Sequence, residues 1–292
     1  MRILIGLFIL MTSLGVQAQT VSSGLGSGNW NDPLSWTPNI VPVFNNTTSI
    51  TILAGHTITV TAPVTIDQTI IQATGAVIIN PGVTLSVNNG GSTDLLVNGA
   101  LTVNGTLMIS GGGNNVIIFN NASLVNNGTI THTSGTFNLN GTTAVTGTPV
   151  STSIFNVASS GGSTATSSIN MTINGNLGGT GQFTSSATTT FAGTTLVTGG
   201  GNKTFNDVTI TGSVSASTNV NLFVTGNFTN NGTLNFTSGR WTFSGAAKSI
   251  SGSGPLTNFF NVTISGTIFN IIPLSVDGAL TVSSSGNLTA FG

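Results

Sequence analysis

Cysteine, tyrosine and glutamate are absent from the 292-residue chain, and only 3% of its residues are charged. Each absence removes a class of protein. Without cysteine there is no disulfide framework and no thiolate metal site. Four Lys+Arg against five acids, net −1, cannot build the basic face that neutralises phosphates, so nucleic acid is excluded as a partner. Proteins ordinarily carry about 25% charged residues, and a surface without them has to be made from Thr, Ser, Asn and Gly. Charge-driven disorder is excluded as well, because 38% of the residues are hydrophobic and many are β-branched. Past the N-terminus no apolar run reaches the ~20 residues of a membrane-spanning helix.

What is present begins with an address. Arg2 precedes the apolar run Ile3–Met11, and Val16-Gln17-Ala18 supplies small residues where a signal peptidase reads. Residues 1–18 are expected to be a cleaved signal peptide, with the mature chain starting near Gln19 and exported.

The chain also repeats itself. Asn126–Gly141 (NNGTITHTSGTFNLNG) and Asn230–Gly245 (NNGTLNFTSGRWTFSG) align without a gap at an offset of 104, with eight of sixteen positions identical. Gly55–Val60 aligns with Gly82–Val87 at an offset of 27, and Asn98–Val103 (NGALTV) returns as Asp277–Val282 (DGALTV). Glycines of this phrase stand at 99, 175, 226 and 278. These offsets fit units of about 25 residues, a solenoid period. Within each unit, short segments such as Ile50-Thr51-Ile52 and Val208-Thr209-Ile210-Thr211 alternate apolar and polar residues, as half-buried strands do. Asn-Gly and Gly-Thr pairs supply the corners.

The expected fold is therefore all-β, a right-handed parallel β-helix with coils of about 25 residues, roughly nine in number. Stacking puts like residues ~4.8 Å apart in successive coils. Charges would repel there, whereas Thr and Asn can ladder by hydrogen bonds and Ile and Val can stack, which accounts for the missing charge. An uncapped β-helix exposes a strand edge, so the array spanning 63–292 is expected to continue beyond Gly292.

Residues 19–62 read as an N-terminal cap with the first strands. Gly28-Asn29-Trp30-Asn31-Asp32-Pro33-Leu34-Ser35-Trp36 is unlike anything downstream. Asp32-Pro33 starts a turn, and Trp30 and Trp36 are expected to cover the open end of the first coil. Trp30 and Trp36 are also the candidate carbohydrate contacts, since paired aromatic rings can stack on sugars. Across residues 28–60, Trp30, Trp36, Pro42, Ile50, Ile52, Gly55 and Val60 carry a resemblance to the N-terminal module of large secreted Bacteroidetes surface proteins. That stretch is also loosely similar to the G8 domain. The resemblance implies an adhesin or surface-layer component, of a kind that commonly leaves the cell by type IX secretion through a C-terminal sorting domain. No such domain is visible in this sequence.

Candidate chemistry is sparse. Asp94, Asp207 and Asp277 align with Asn219, Asn261 and Asn98 in sister repeats, and turns accept either residue whereas acid–base work needs the carboxylate. Asp32 belongs to a turn, and Asp67 has no evident partner. His56 and His132 align with Val83 and Phe236. Lys203, Lys248 and Arg240 read as solvated. Rows of Thr such as Thr57/Thr59 and Thr188–Thr190 suggest a water-ordering face, but keep no common phase along the sequence. No catalytic residue, cofactor or metal is assigned. The expected protein is an exported structural or adhesive β-solenoid whose partners are surface glycans or other cell-surface proteins. The alternative is a carbohydrate-binding or polysaccharide-degrading β-helix.

Overall fold

The computed structural model describes residues 20–22, 26–43, 49–90, 93–110, 115–216 and 219–291. The expected signal peptide at 1–18 lies outside the described residues. The chain is all-β, 56% strand and 1% helix, wound into a parallel β-solenoid of about 12 turns.

Each turn has three sides. Face one runs from Ile50–Ile52 through Thr69–Ile71, Leu95–Val97 and Val116–Asn120 to Ser275–Val276, in a 14-stranded sheet. Face two runs from Ser27–Asn29 and Thr57–Val60 to Leu280–Val282, and face three from Val64–Ile66 and Thr84–Val87 to Asn287–Ala290. Faces two and three fuse into one 23-stranded sheet because Gln182–Phe191 and Lys203–Ile210 run straight through their shared corner. At the described neighbours every pairing is parallel except one, Ser22 with Trp36 in the cap.

The coils are shorter than the expected 25 residues. On face two, Ile58, Val77, Leu101, Leu124, Val145, Ser167 and Ser185 follow in register, and steps on face one from Ile50 onward range from 17 residues (Asn258 to Ser275) to 26 (Thr69 to Leu95). The mean is about 20, so there are about 12 turns where nine were expected, and the rod is about 55 Å long at ~4.8 Å per coil. The reason is that the sequence repeat is a side, not a coil. Thr57–Val60 lies on face two and its sequence twin Thr84–Val87 on face three, so the 27-residue offset is four sides. The 104-residue offset carries Thr129–His132 on face three to Thr233–Phe236 on face one, which is sixteen sides of 6.5 residues.

Strand interiors obey the period of two: inward residues such as Ile58, Val60, Leu101, Val103, Leu107 and Ile109 are at most 1% exposed. The core is aliphatic in the first coils and aromatic towards the other end. There Phe228, Trp241, Phe243 and Phe259 contact one another with ring centroids 5.4–6.2 Å apart, and such pairs add about 0.5–1.5 kcal/mol each beyond burial. At one corner Gly193, Gly212, Gly232 and Gly254 stack, and a Cβ on any of the last three would sit 2.0–2.2 Å from the carbonyl below. Only glycine lets these coils close.

Candidate functional site

Trp30 and Trp36 are both 0% exposed, with rings edge-to-face at 4.9 Å. Trp36 Nε1 donates to the Trp30 carbonyl (2.7 Å), and the Trp30 N–H donates to the Thr59 carbonyl (2.8 Å) in the following coil. Asp32 Oδ1 accepts the Leu34 N–H (2.9 Å) and caps the 3₁₀ turn Pro33–Ser35. The pair therefore closes the first coil and presents no open ring face to a sugar.

The acids separate into two kinds. Asp207 and Asn261 do the same work, as their alignment implies: Asp207 Oδ1 accepts the Asn227 N–H (2.7 Å) and Asn261 Oδ1 the Ala279 N–H (2.9 Å), each from the coil above. Asp277 Oδ2 accepts from Asn258 Nδ2 (2.7 Å) in the preceding coil, whereas its aligned Asn98 accepts through Oδ1 from Asn120 Nδ2 (3.2 Å) in the following one. Asp94 departs from its aligned Asn219. Asn219 is exposed, while Asp94 is fully buried and accepts two N–H groups, Gly90 (2.8 Å) on Oδ1 and Val116 (2.7 Å) on Oδ2.

Asp67, expected to stand alone, has Asp94 as its neighbour. Both stand just before face-one strands one coil apart, Thr69–Ile71 and Leu95–Val97, and that shared position was the signal available in the sequence. Asp67 Oδ1 accepts the Gln68 N–H (2.7 Å), and buried Oδ2 has no donor among the described residues. Burial pushes its pKa up to about 6 against the pull of the Gln68 N–H, and Asp94 adds to the rise as the acceptor for a protonated Asp67 and as a like charge.

The basic groups are also structural. Ser22 Oγ accepts the Leu53 N–H (2.9 Å) and shares a hydrogen bond with His56 Nδ1 (2.8 Å). His132 is 1% exposed, and its Nδ1 accepts the Phe155 N–H (3.3 Å). Burial lowers its pKa to about 4, against a smaller opposing pull from the Ser134 backbone. Lys203, expected to be solvated, is 0% exposed in the inward column between Phe183 and Leu222. Its Nζ donates to the carbonyls of Gly179 (3.0 Å), Gly181 (2.8 Å) and Gly201 (3.2 Å), while burial draws its pKa down to about 8. Arg240 is exposed and Lys248 half-buried.

The outward Thr keep a common phase after all. Thr131, Ser153, Thr172, Thr190, Thr209, Thr229 and Ser251 are register partners through seven coils of face three. Sequence offsets hid this because the coils differ in length. Beside this row lies a groove of about 570 Å³ at the corner of faces two and three. The corner there takes four residues (147–150), then three (168–170), and in the next two coils it narrows to a bulge within the continuous strands, two residues (186–187) opposite one (206). The loop Gly147–Val150 thus overhangs a receding ledge, with Val150 82% exposed on its rim. Ile169 and Met171, each 2% exposed, form the floor, and Ser151, Ser153, Ser168, Asn170, Thr172 and Thr190 supply polar groups. Nothing in the sequence reading marked this groove.

Among the described residues no group of three or more His, Cys, Asp or Glu could hold a metal ion, and no helix is long and apolar enough to cross a membrane. The fold makes the chain a β-solenoid. No protein-family model matches it, and no match was found among curated proteins or solved structures.

Proposed function

We propose that the protein is exported and works at the cell surface as a structural or adhesive rod, without catalytic chemistry of its own. The carrying observation is how its polar groups are used. Asp32, Asp94, Asp207 and Asp277 each accept hydrogen bonds that close turns or join coils, and the outward surface is laddered by hydroxyls and amides. Such a surface is neutral, repetitive and long, which suits many weak contacts summed along one axis. The leader-like N-terminus and the likeness of residues 28–60 to modules of secreted surface proteins support export.

The test is to tag the protein in its source organism, follow it by protease shaving of intact cells, and compare attachment of a deletion strain. Surface-accessible protein and weakened attachment or cohesion are the expected results. Recovery from the cytosol alone, or a glycan-cleaving activity lost on changing Asp67 to Asn, would overturn the reading. The carbohydrate-binding alternative draws on the groove at 147–172.

A further inference from the structure

We propose that the groove between the loop Gly147–Val150 and the ledge Ser168–Thr172 binds a neutral polysaccharide lying along the rod axis. This rests on the adhesive reading above and gives it a ligand class and a site.

Three observations carry it. The first is shape. A groove of about 570 Å³, within the ~300–1,000 Å³ of ordinary ligand sites, exists because four successive corners shorten under one overhanging loop. That loop is held rigidly from below. Buried Asn126 donates through Nδ2 to the Ser151 carbonyl (3.0 Å) and Thr152 Oγ1 (2.8 Å), and Asn127 Oδ1 accepts the Thr148 N–H (3.1 Å). Gly147, at φ +118°, makes the bend, where a Cβ would lie 2.2 Å from the Asn126 carbonyl. The site is thus organised before any ligand arrives, which lowers the entropic cost of binding.

The second is chemistry. The groove's lining carries hydroxyl, amide and aliphatic groups and no ionisable side chain. The carboxylate of Asp207, which pairs in register with Thr188 one coil away, has both oxygens engaged, by Asn227 N–H (2.7 Å) and Asn206 Nδ2 (3.1 Å). An acidic polysaccharide or a phosphate would find no cation here. A sugar ring offers alternating hydroxyls and C–H faces, which match the hydroxyl ledge and the exposed Val150 on the rim.

The third is period. Ser153, Thr172 and Thr190 are register partners on consecutive coils, so their hydroxyls recur every ~4.8 Å. That step is close to the length one pyranose adds to an extended glycan. Orientation is fixed as well: Asn174 Nδ2 donates to Ser153 Oγ (2.8 Å), and Asn170 Oδ1 accepts the Thr188 N–H (3.1 Å).

The experiment is affinity electrophoresis of the purified chain in gels containing neutral polysaccharides (β-glucan, xylan, mannan) or acidic ones (polygalacturonate, alginate). Val150→Asp and Thr172→Lys are compared with Thr102→Lys, a control on face two. Circular dichroism confirms that all remain folded. The expected result is retardation by at least one neutral polymer. It should weaken about tenfold or more, the scale of ~1.4 kcal/mol, in Val150→Asp and Thr172→Lys and stay unchanged in Thr102→Lys. Retardation that survives both groove variants, retardation by acidic polymers alone, or none by any neutral polymer would each overturn the groove. A chain that still tethers cells while ignoring every neutral glycan would sink this inference and leave the surface-rod reading standing.

Discussion

The corner at Asn126 and the corner at Asn230 sit at different vertices of the triangular coil, yet they are built from the same bonds. Asn126 donates to the Ser151 carbonyl and Thr152 Oγ1 and accepts the Gly128 N–H (3.1 Å). Asn230 donates to the Leu256 carbonyl and Thr257 Oγ1 (both 2.8 Å) and accepts the Gly232 N–H (3.1 Å). The next residue repeats too, with Asn127 Oδ1 taking the Thr148 N–H and Asn231 Oδ1 the Ser253 N–H, each at 3.1 Å. Gly147 and Gly252 share a left-handed bend, at φ +118° and +128°. His132 lies against Phe137 as Phe236 lies against Trp241, with centroids 5.8 and 5.3 Å apart. To the sequence, then, these two vertices are one environment: a strand, an Asn-Gly-Thr corner and the next strand, set on a copy one coil away.

The sharpest way to break that equivalence is to remove both anchors. Asn126→Ala and Asn230→Ala each delete three hydrogen bonds at a fully buried site and leave a buried Thr hydroxyl and a backbone carbonyl without their donor. At about 1–3 kcal/mol for each orphaned group, each variant should lose about 3 kcal/mol, read by denaturant titration and by hydrogen exchange in the flanking coils. Because the sites lie about 25 Å apart at ~4.8 Å per coil, the double variant should be additive. If one substitution costs several times the other, vertex identity matters and the comparison fails.

The same comparison explains which parts of the molecule could be read from sequence. Strand, inward or outward direction and corner are local properties, written within about seven residues, so the strands, the Asn-Gly turns and the β-solenoid itself were legible. Coil length is not local. It depends on how many residues each vertex inserts, from one at Asn206 to seven between Val87 and Leu95, and offsets of 27 and 104 residues fitted a 25-residue coil only because both are whole numbers of sides. Everything that depends on which coil lies above which was therefore hidden. Asp67 beside Asp94, Lys203 against the carbonyls of Gly179 and Gly181, the in-phase Thr row and the groove are all neighbours across coils. The Trp30–Trp36 cap was legible because its parts are six residues apart.

Exchanging the one interior position where the copies differ in polarity tests the comparison more finely. Phe236→His should place an imidazole in an aromatic pocket and cost about 2–3 kcal/mol at pH 7, as large core truncations do, with a further loss in acid. His132→Phe should be nearly neutral at pH 7, since apolar burial offsets the loss of the acceptor for the Phe155 N–H. Below pH 5 it should be more stable than the parent by about 2 kcal/mol. The sign follows from the His132 pKa, lowered from 6.5 to about 4. Its contribution is intact above 6.5 and is lost as pH falls towards 4. Thermal melts across pH 4–7.5 check both variants. A His132→Phe protein as acid-sensitive as its parent would show that the imidazole is not the buried neutral group its pocket implies.

The smallest effect should come from the corner that has no twin, where Asp67 meets Asp94. An acid whose folded pKa is raised, here from 3.8 to about 6, imposes no cost below 3.8, where it is protonated in both states. Stability is then lost as pH rises from about 3.8 to about 6, because the buried carboxyl must give up its proton beside another carboxylate. Asp67→Asn keeps an acceptor for the Gln68 N–H and gives Asp94 a donor at every pH. It should leave stability at pH 3.5 unchanged and raise it at pH 7 by about 1 kcal/mol, part of the full linkage term because water near the surface relaxes the site. His132 works in the opposite direction over nearly the same interval, so the parent should show only a shallow slope between pH 4 and 6. Removing one group should uncover the other: Asp67→Asn should lose stability on acidification through His132, and His132→Phe should gain it through Asp67. Opposed slopes in the two variants, and a flat profile in the double variant, are the expected outcome. Parallel slopes would mean that neither buried group controls the acid response, and that the twinless corner is held by contacts other than the shared proton.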